Sequence, residues 1–140
     1  MPAPGTFYRP DLSFDARRVL FSFKPGAEKV FHLYEVSVDG SNLRQLTRGS
    51  YDDLDPTYMP GGHITFVTSR CNTYPRCASP WASSVLARCD ADGRHIDFIS
   101  TANEPDFTPA VLDDGRLPYT RWEYTDKAVM RIPSLWTANP

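Results

Sequence analysis

The chain has 140 residues, of which 41% are apolar and 23% are charged, as is usual for a single globular domain and unlike a disordered chain. Its net charge of −2 argues against binding of nucleic acid through a basic surface. No apolar stretch is long enough for a membrane-spanning helix, and residues 1–10 lack the apolar core of a signal peptide. Thirteen prolines and many aromatic residues favour short strands and turns over long helices.

A compound pattern occurs three times, in residues 11–22, 55–66 and 107–119. Each copy has a short alternating apolar run, a tight polar turn and a second run that ends near an aromatic residue. In the first two copies, Asp39-Gly40 and Asp92-Gly93 then join two further runs. Asp-Gly between alternating runs predicts a hairpin, because glycine tolerates the positive φ of such turns.

Each unit is therefore predicted to contain four short antiparallel strands. The predicted strands cover residues 11–14, 18–23, 31–38, 43–47, 55–59, 63–68, 84–89, 95–99, 107–111 and 116–122, and another begins at 134. Four-stranded units that recur about every 40–50 residues are typical of propeller blades. We expect an all-β fold, a partial β-propeller with two complete antiparallel blades and part of a third. An ordinary β-sandwich is the alternative.

The predicted organisation is one propeller segment over residues 1–140, with blades near 10–50, 51–102 and 103–140. The third blade is incomplete, and a propeller ring needs about four to eight blades. We therefore expect the segment to be part of a longer chain. Within the first blade we expect one apolar layer, made of Val19, Phe21, Leu33 and Leu46.

The repeats at 11–23, 55–69 and 107–121, with the closing run Gln45-Leu46-Thr47, resemble the TolB-type propeller repeat. Two longer stretches are similar to the propeller of proteins like the hydrazine synthase alpha subunit of planctomycete-type bacteria. These stretches are Ser79-Pro80-Trp81 with 88–93, and 103–109 leading into 119–126.

The resemblance implies a periplasmic or secreted protein. The leading interpretation is a non-catalytic scaffold that contacts a protein partner or the remaining domains of its own chain. One alternative is part of a redox enzyme similar to hydrazine synthase, whose cofactor ligands lie mostly outside this segment; another is a propeller beside a hydrolase domain. No Cys-x-x-Cys-His occurs, so attachment of haem c is not expected in this segment.

The three cysteines support two interpretations. Cys71 and Cys77 lie in one predicted loop, where a disulfide would form in an oxidising compartment while Cys89 stays buried in a strand. Alternatively, Cys71, Cys77, Cys89 and His95 would bind zinc, although their spacing matches no familiar zinc motif. All three histidines, His32, His63 and His95, are otherwise expected at the surface or at sheet edges.

Acidic residues cluster at 52–55, 90–97 and 113–114. Such carboxylates suit calcium, but capping of turns explains them better, because aspartate bonds its own nearby backbone.

The segment 121–127 alternates aromatic and charged residues, which makes it the candidate ligand or partner surface. Its candidate residues are Arg121, Trp122, Tyr124 and Asp126. Arg121 is expected to pair with Glu123 or Asp126, and the two aromatic rings either stack on a ligand or pack between blades.

Overall fold

A computed structural model of the chain describes residues 4–76, 80–123 and 132–140. In this part of the chain the strands form three antiparallel sheets, each ordered as the strands follow one another in sequence. The first sheet contains β1 (Gly5–Leu12), β2 (Arg18–Pro25), β3 (His32–Ser37) and β4 (Arg44–Gln45). The second contains β5 (Asp53–Tyr58), β6 (His63–Thr68), β7 (Val85–Asp90) and β8 (Asp97–Phe98). The third contains β9 (Asp106–Phe107), β10 (Leu117–Glu123) and β11 (Ile132–Ala138).

The predicted fold class is confirmed: two four-stranded blades and part of a third make a partial β-propeller. The described residues include no helix that is long and apolar enough to cross a membrane.

The two Asp-Gly hairpins form where the sequence predicts them. Gly40 (φ 84°) lies in the turn between β3 and β4, and Gly93 (φ 83°) lies in the turn between β7 and β8. The preceding aspartates stabilise the turns, since Asp39 accepts a hydrogen bond from the Ser41 amide at 2.9 Å and Asp92 accepts one from the Arg94 amide at 3.0 Å. Glycine is required at these positions because other residues rarely adopt this φ.

Two apolar cores hold the sheets together. Between the first and second sheets, leucines from β2, β3 and the end of β4 pack against five side chains of the second sheet: Leu20, Leu33 and Leu46 against Tyr58, Ile64, Phe66, Ala87 and Cys89. Between the second and third sheets, Val67 and Leu86 pack against Tyr119 and Ala138.

The predicted layer of the first blade is wrong at two positions. Leu33 and Leu46 belong to it, but Leu20 replaces Val19 and Phe21. Side chains alternate between the two faces of a strand, and β2 places Leu20 opposite Glu35. Phe21 is buried on the other face of the sheet, next to Phe7.

The first strand begins earlier than predicted, at Gly5 instead of residue 11. The pairing of β1 with β2 is interrupted between Tyr8 and Asp11, where Arg9 adopts a φ of 48°. This bulge precedes Pro10 and breaks the sequence alternation, which hid the strand. In the third sheet β9 is also shorter than predicted, because Thr108 adopts a φ of 50° directly after it.

Both ends of the stack present a sheet face to solvent. The first end face, on the first sheet, carries the aromatic side chains Phe7, Phe21, Phe23 and Tyr34. The second end face, on the third sheet, carries Phe107, Thr120 and Leu135, which share one face by their pairing.

Candidate functional site

Connections between sheets and connections from the second to the third strand of a sheet emerge at one end of the stack. We call this end the loop face; among the described residues it includes 26–31, 46–52, 69–76, 80–84 and 99–105. The candidate residues Arg121 and Trp122 lie at this end, where β10 finishes. Tyr124 and Asp126 lie outside the described residues.

A buried carboxylate marks the junction between the first and second sheets. Asp53 accepts hydrogen bonds from Thr68 Oγ1 at 2.7 Å, Arg70 Nε at 3.1 Å and Arg70 Nη2 at 2.6 Å. Its Oδ2 also lies 3.8 Å from Nδ1 of His32. Burial alone raises the pKa of Asp53, but the contacts with His32, Arg70 and Thr68 outweigh it and keep that pKa below its ordinary value.

The junction between the second and third sheets repeats this arrangement. Asp106 is fully buried and meets Arg121 through two contacts, Nε to Oδ1 at 2.7 Å and Nη2 to Oδ2 at 3.1 Å. Ser100 Oγ donates to the same carboxylate. Asp106 follows Ser100 at the same spacing as Asp53 follows Thr47. The Ser100 hydroxyl accepts the Leu86 amide from β7, and the Thr47 hydroxyl accepts the Leu33 amide from β3, both at 2.9 Å.

Arg121 therefore pairs with Asp106 and not with Glu123, while Asp126, the other expected partner, lies outside the described residues. β9 places Asp106 directly opposite Arg121, which leaves Glu123 to accept a hydrogen bond from Ser134 Oγ at 3.0 Å. The Arg121 guanidinium also lies 5.2 Å from the centre of the Trp136 ring. The structure thus gives Arg121 a packing role between sheets.

A pocket of about 330 Å³ opens beside this junction. Its lining consists of Arg76, Ala102, Asn103, Glu104, Arg121, Trp122 and Glu123. Hydrogen bonds fix the loop that carries Glu104: Ser83 Oγ donates to the Asn103 carbonyl, and the Trp122 amide donates to the Pro105 carbonyl at 3.0 Å. The pocket is therefore bounded by backbone that is tied to both neighbouring sheets.

Glu104 is the unusual side chain of this pocket. It is 12% exposed, and neither carboxylate oxygen accepts a hydrogen bond from the described residues. Its nearest cation among the described residues is Arg76, whose Nε lies 3.7 Å from Oε1. Sequence reasoning missed Glu104, because its surroundings come from three separate stretches of the chain; its position within the 103–109 motif was the only signal.

Cys71 does not come together with Cys89 and His95, and Cys77 lies outside the described residues. Cys71 follows β6 at the loop face, whereas Cys89 and His95 lie near the opposite end of β7. No three potential metal-binding side chains are grouped anywhere in the described ranges. Cys71 is a free thiol in this structure and Cys77 lies outside the described residues, so their pairing under oxidising conditions stays a prediction.

The histidines differ in their surroundings. His63 and His95 are partly exposed, as expected, and both approach Asp90, at 3.5 Å and 2.6 Å. The hydrogen bond to Asp90 raises the pKa of His95. His32 is buried, contrary to expectation, because it belongs to β3 and lies between Glu28 and Asp53.

The clustered aspartates differ in role. Asp52 and Asp55 do not cap their own turns as predicted, because they accept distant backbone amides, those of Phe31 and Thr108, both at 2.8 Å. Asp114 accepts the Arg116 amide at 3.0 Å, which confirms the turn role predicted for this cluster.

A second polar cluster, also missed from the sequence, lies between the first two sheets. Glu35 is 4% exposed and contacts Arg44 Nη2 at 2.6 Å, Arg18 Nη1 at 3.3 Å and the Tyr58 hydroxyl at 2.8 Å. The available signal was that Glu35 shares the inward face of β3 with Leu33. Both Glu35 oxygens accept hydrogen bonds, so the cluster stabilises the contact between the first two sheets.

Comparison with family models and with curated proteins finds no match. Solved structures do match. Hydrazine synthase from Kuenenia stuttgartiensis is 17% identical with a TM-score of 0.85, over 96% of this chain and 24% of that chain. TolB from Acinetobacter baumannii is 13% identical with a TM-score of 0.63, over 91% of this chain and 29% of that chain. The chain has a TolB-like propeller fold.

An oligogalacturonate lyase solved with manganese has the same arrangement, at 15% identity and a TM-score of 0.69, over all of this chain and 40% of that chain. The chain thus spans 24% to 40% of the length of these three structures. Identities this low show the fold and do not transfer an activity.

Proposed function

We propose that this propeller segment is a non-catalytic scaffold of a larger extracytoplasmic protein, and that its two end faces contact other protein sheets. The extracytoplasmic location rests on the TolB-type resemblance. The observation that carries the proposal is the apolar character of both end faces.

Each sheet has one face on the side of the preceding sheet and one on the side of the following sheet. The second and third sheets pack on the preceding sheet with the face that corresponds to the first end face. The first and second sheets pack on the following sheet with the face that corresponds to the second end face. Each end face is therefore suited to a further β-sheet, in the same chain or in a partner.

The exposed side chains support this assignment. Phe7 is 59% exposed although its ring packs at a tilt against that of Phe23, with ring centres 4.5 Å apart. On the other end, Leu135 is 78% exposed and Phe107 is 40% exposed. Large apolar side chains exposed on a sheet face are typical of contact surfaces.

The proposed lack of catalysis is supported by how the ionised groups of the loop face are used. Asp53 and Asp106, which occupy equivalent places, are both engaged by an arginine and a hydroxyl group. Groups held in this way stabilise sheet junctions and are poorly placed to exchange protons with a substrate.

A second candidate function is part of a redox enzyme, favoured by the TM-score of 0.85 with hydrazine synthase. In that case its cofactor ligands come mostly from outside this segment. The remainder of the coding sequence separates the candidates: a Cys-x-x-Cys-His motif supports the redox enzyme, and a serine-nucleophile motif supports a propeller beside a hydrolase.

The scaffold proposal is tested by light scattering during size-exclusion chromatography of the chain and its variants. We expect the chain to self-associate through its end faces, and Leu135→Ser and Phe7→Ser each to shift it towards the monomer. Leu43→Ser, at a turn position with 45% exposure, is the matched control. A wild-type chain that stays monomeric at high concentration would contradict the proposal, as would equal effects of Leu43→Ser and Leu135→Ser.

A further inference from the structure

The loop-face pocket contains a carboxylate that the surrounding protein leaves without hydrogen bonds. Both oxygens of Glu104 are shielded from solvent and accept no hydrogen bond from the described residues. Within the described ranges the closest cationic atom, Arg76 Nε, is 3.7 Å away, beyond hydrogen-bonding distance, and the Arg76 side chain is 65% exposed. The other guanidinium of the pocket, that of Arg121, is already bound to Asp106 through two contacts.

A buried carboxylate in this state is unfavourable. Nearly all buried polar groups in proteins have a partner, and one without a partner carries its full desolvation penalty. A ligand that brings N–H donors and a positive charge would remove that penalty, because charge-assisted hydrogen bonds to a carboxylate are among the stronger polar contacts.

We propose that this pocket binds the ammonium group of a small protonated amine. Glu104 is its principal acceptor, and its oxygens become accessible when the largely exposed Arg76 side chain moves away from the carboxylate. The second carboxylate of the lining, Glu123, adds negative potential, and Trp122 contributes an aromatic surface of the kind that attracts organic cations. The volume of about 330 Å³ lies at the small end of the range for ligand pockets, which suits a molecule of a few heavy atoms.

Other occupants fit the lining less well. A hard divalent cation such as calcium takes about six to eight oxygen ligands, whereas the lining side chains that offer oxygen are Asn103, Glu104 and Glu123. An anion would meet both carboxylates, and of the two arginines in the described lining Asp106 already engages Arg121, which leaves Arg76.

Arg76 provides a further test, because its guanidinium competes with a bound amine for Glu104. Its guanidinium lies close enough to Glu104 to oppose entry of a second cation. Removal of this side chain by Arg76→Ala is therefore expected to leave amine affinity unchanged or to tighten it, and weaker binding would overturn the proposal.

The experiment is a calorimetric titration of the chain with two isomeric cations, n-butylammonium and tetramethylammonium, at constant ionic strength. The isomers have the same atoms and charge, but only n-butylammonium has N–H donors. We expect n-butylammonium to bind at least about tenfold more tightly. Equal affinities of the wild-type chain for the two cations, or no saturable binding of either cation, would overturn the proposal.

Glu104→Gln is expected to weaken n-butylammonium binding by about tenfold or more. Asp113→Asn, which removes one exposed charge at the opposite end of the third sheet, is the matched control and is expected to leave the affinity unchanged. Circular dichroism checks that each variant is folded. Equal weakening by both substitutions would mean that the overall charge attracts the amine, and that result would also overturn the proposal.

Discussion

Asp106 and Arg121 face each other across β9 and β10, with Nε of Arg121 2.7 Å from Oδ1 of the fully buried Asp106. One sheet earlier, Asp53 binds Arg70 at 2.6 Å, but there the residue opposite the aspartate is Thr68 and Arg70 follows two positions later. The repeat thus keeps a buried aspartate that binds an arginine, while the arginine comes from a different position in each sheet. Each junction joins the start of one sheet to the loop face of the molecule.

The first prediction concerns this junction. Asp106→Asn leaves the Arg121 guanidinium without its carboxylate in a largely buried place, so the free energy of unfolding is expected to fall by about 3 kcal/mol. Urea denaturation measures it. Asp114→Asn, which breaks the exposed pair with Arg116, is the control and is expected to leave the midpoint nearly unchanged. Equal losses in the two variants would refute the structural role of the junction.

The second prediction concerns the packing of the first sheet on the second. A Cβ atom at Gly93 would overlap the carbonyl of Leu46, whereas one at Gly40 would meet nothing within 4 Å. The two glycines have nearly the same φ, so Gly40→Ala controls for backbone strain. We expect Gly93→Ala to destabilise the chain by at least about 1 kcal/mol more than Gly40→Ala, in thermal and urea unfolding. Similar losses would show that the sheets do not pack as described.

The third prediction is a pH effect at Tyr58. Burial, followed by the contact with Glu35, raises the pKa of Tyr58 well above its ordinary value. A group with a raised pKa in the folded state stabilises below its unfolded pKa, here near 10, and that stability is lost as the pH rises further. Tyr58→Phe is expected to be less stable than wild type at neutral pH by about 1 kcal/mol, since it loses one hydrogen bond.

The same substitution is expected to reduce the alkaline loss of stability. Urea midpoints from pH 7 to pH 11 measure both effects, and the gap between Tyr58→Phe and wild type is expected to narrow as the pH rises. A gap that stays constant over this range would contradict the assigned pKa shift.

The fourth prediction concerns the thiols. Burial, reinforced by nearby carboxylates, raises the pKa of Cys89 to about 12, so this thiol is expected to resist alkylation in the native chain. Cys71, which is partly exposed, is expected to react when reduced. Peptide mapping after iodoacetamide treatment distinguishes the two.

After oxidation, bridging of Cys71 to Cys77 is expected to protect both of these cysteines and to stabilise the chain by about 2–3 kcal/mol. Rapid native alkylation of Cys89 would contradict its burial, and alkylation of Cys71 and Cys77 in the oxidised chain without prior reduction would refute the bridge.

The sheets were predictable from local signals, whereas the sites were not. Asp39-Gly40 and Asp92-Gly93 specify hairpins through the conformation of two residues, so sequence alone located them. The start of β1 was predicted too late in the chain, because the bulge at Arg9 interrupts the alternation that identifies strands.

The polar sites depend on residues that are distant in sequence. Glu104 becomes unusual only when Arg76 and Trp122 approach it in the folded chain, and Arg121 finds Asp106 through strand pairing rather than through its sequence neighbours. A burial pattern places such residues on a face, but it does not identify their partners.

The central claim is that the end sheets, and not the middle sheet, contact other protein. Hydrogen–deuterium exchange of the chain at low and high concentration tests it most directly. The account predicts added protection in peptides that cover β1, β2, β10 and β11, with β6 and β7 unchanged. Added protection confined to β6 and β7, or no change anywhere while the chain self-associates, would contradict it.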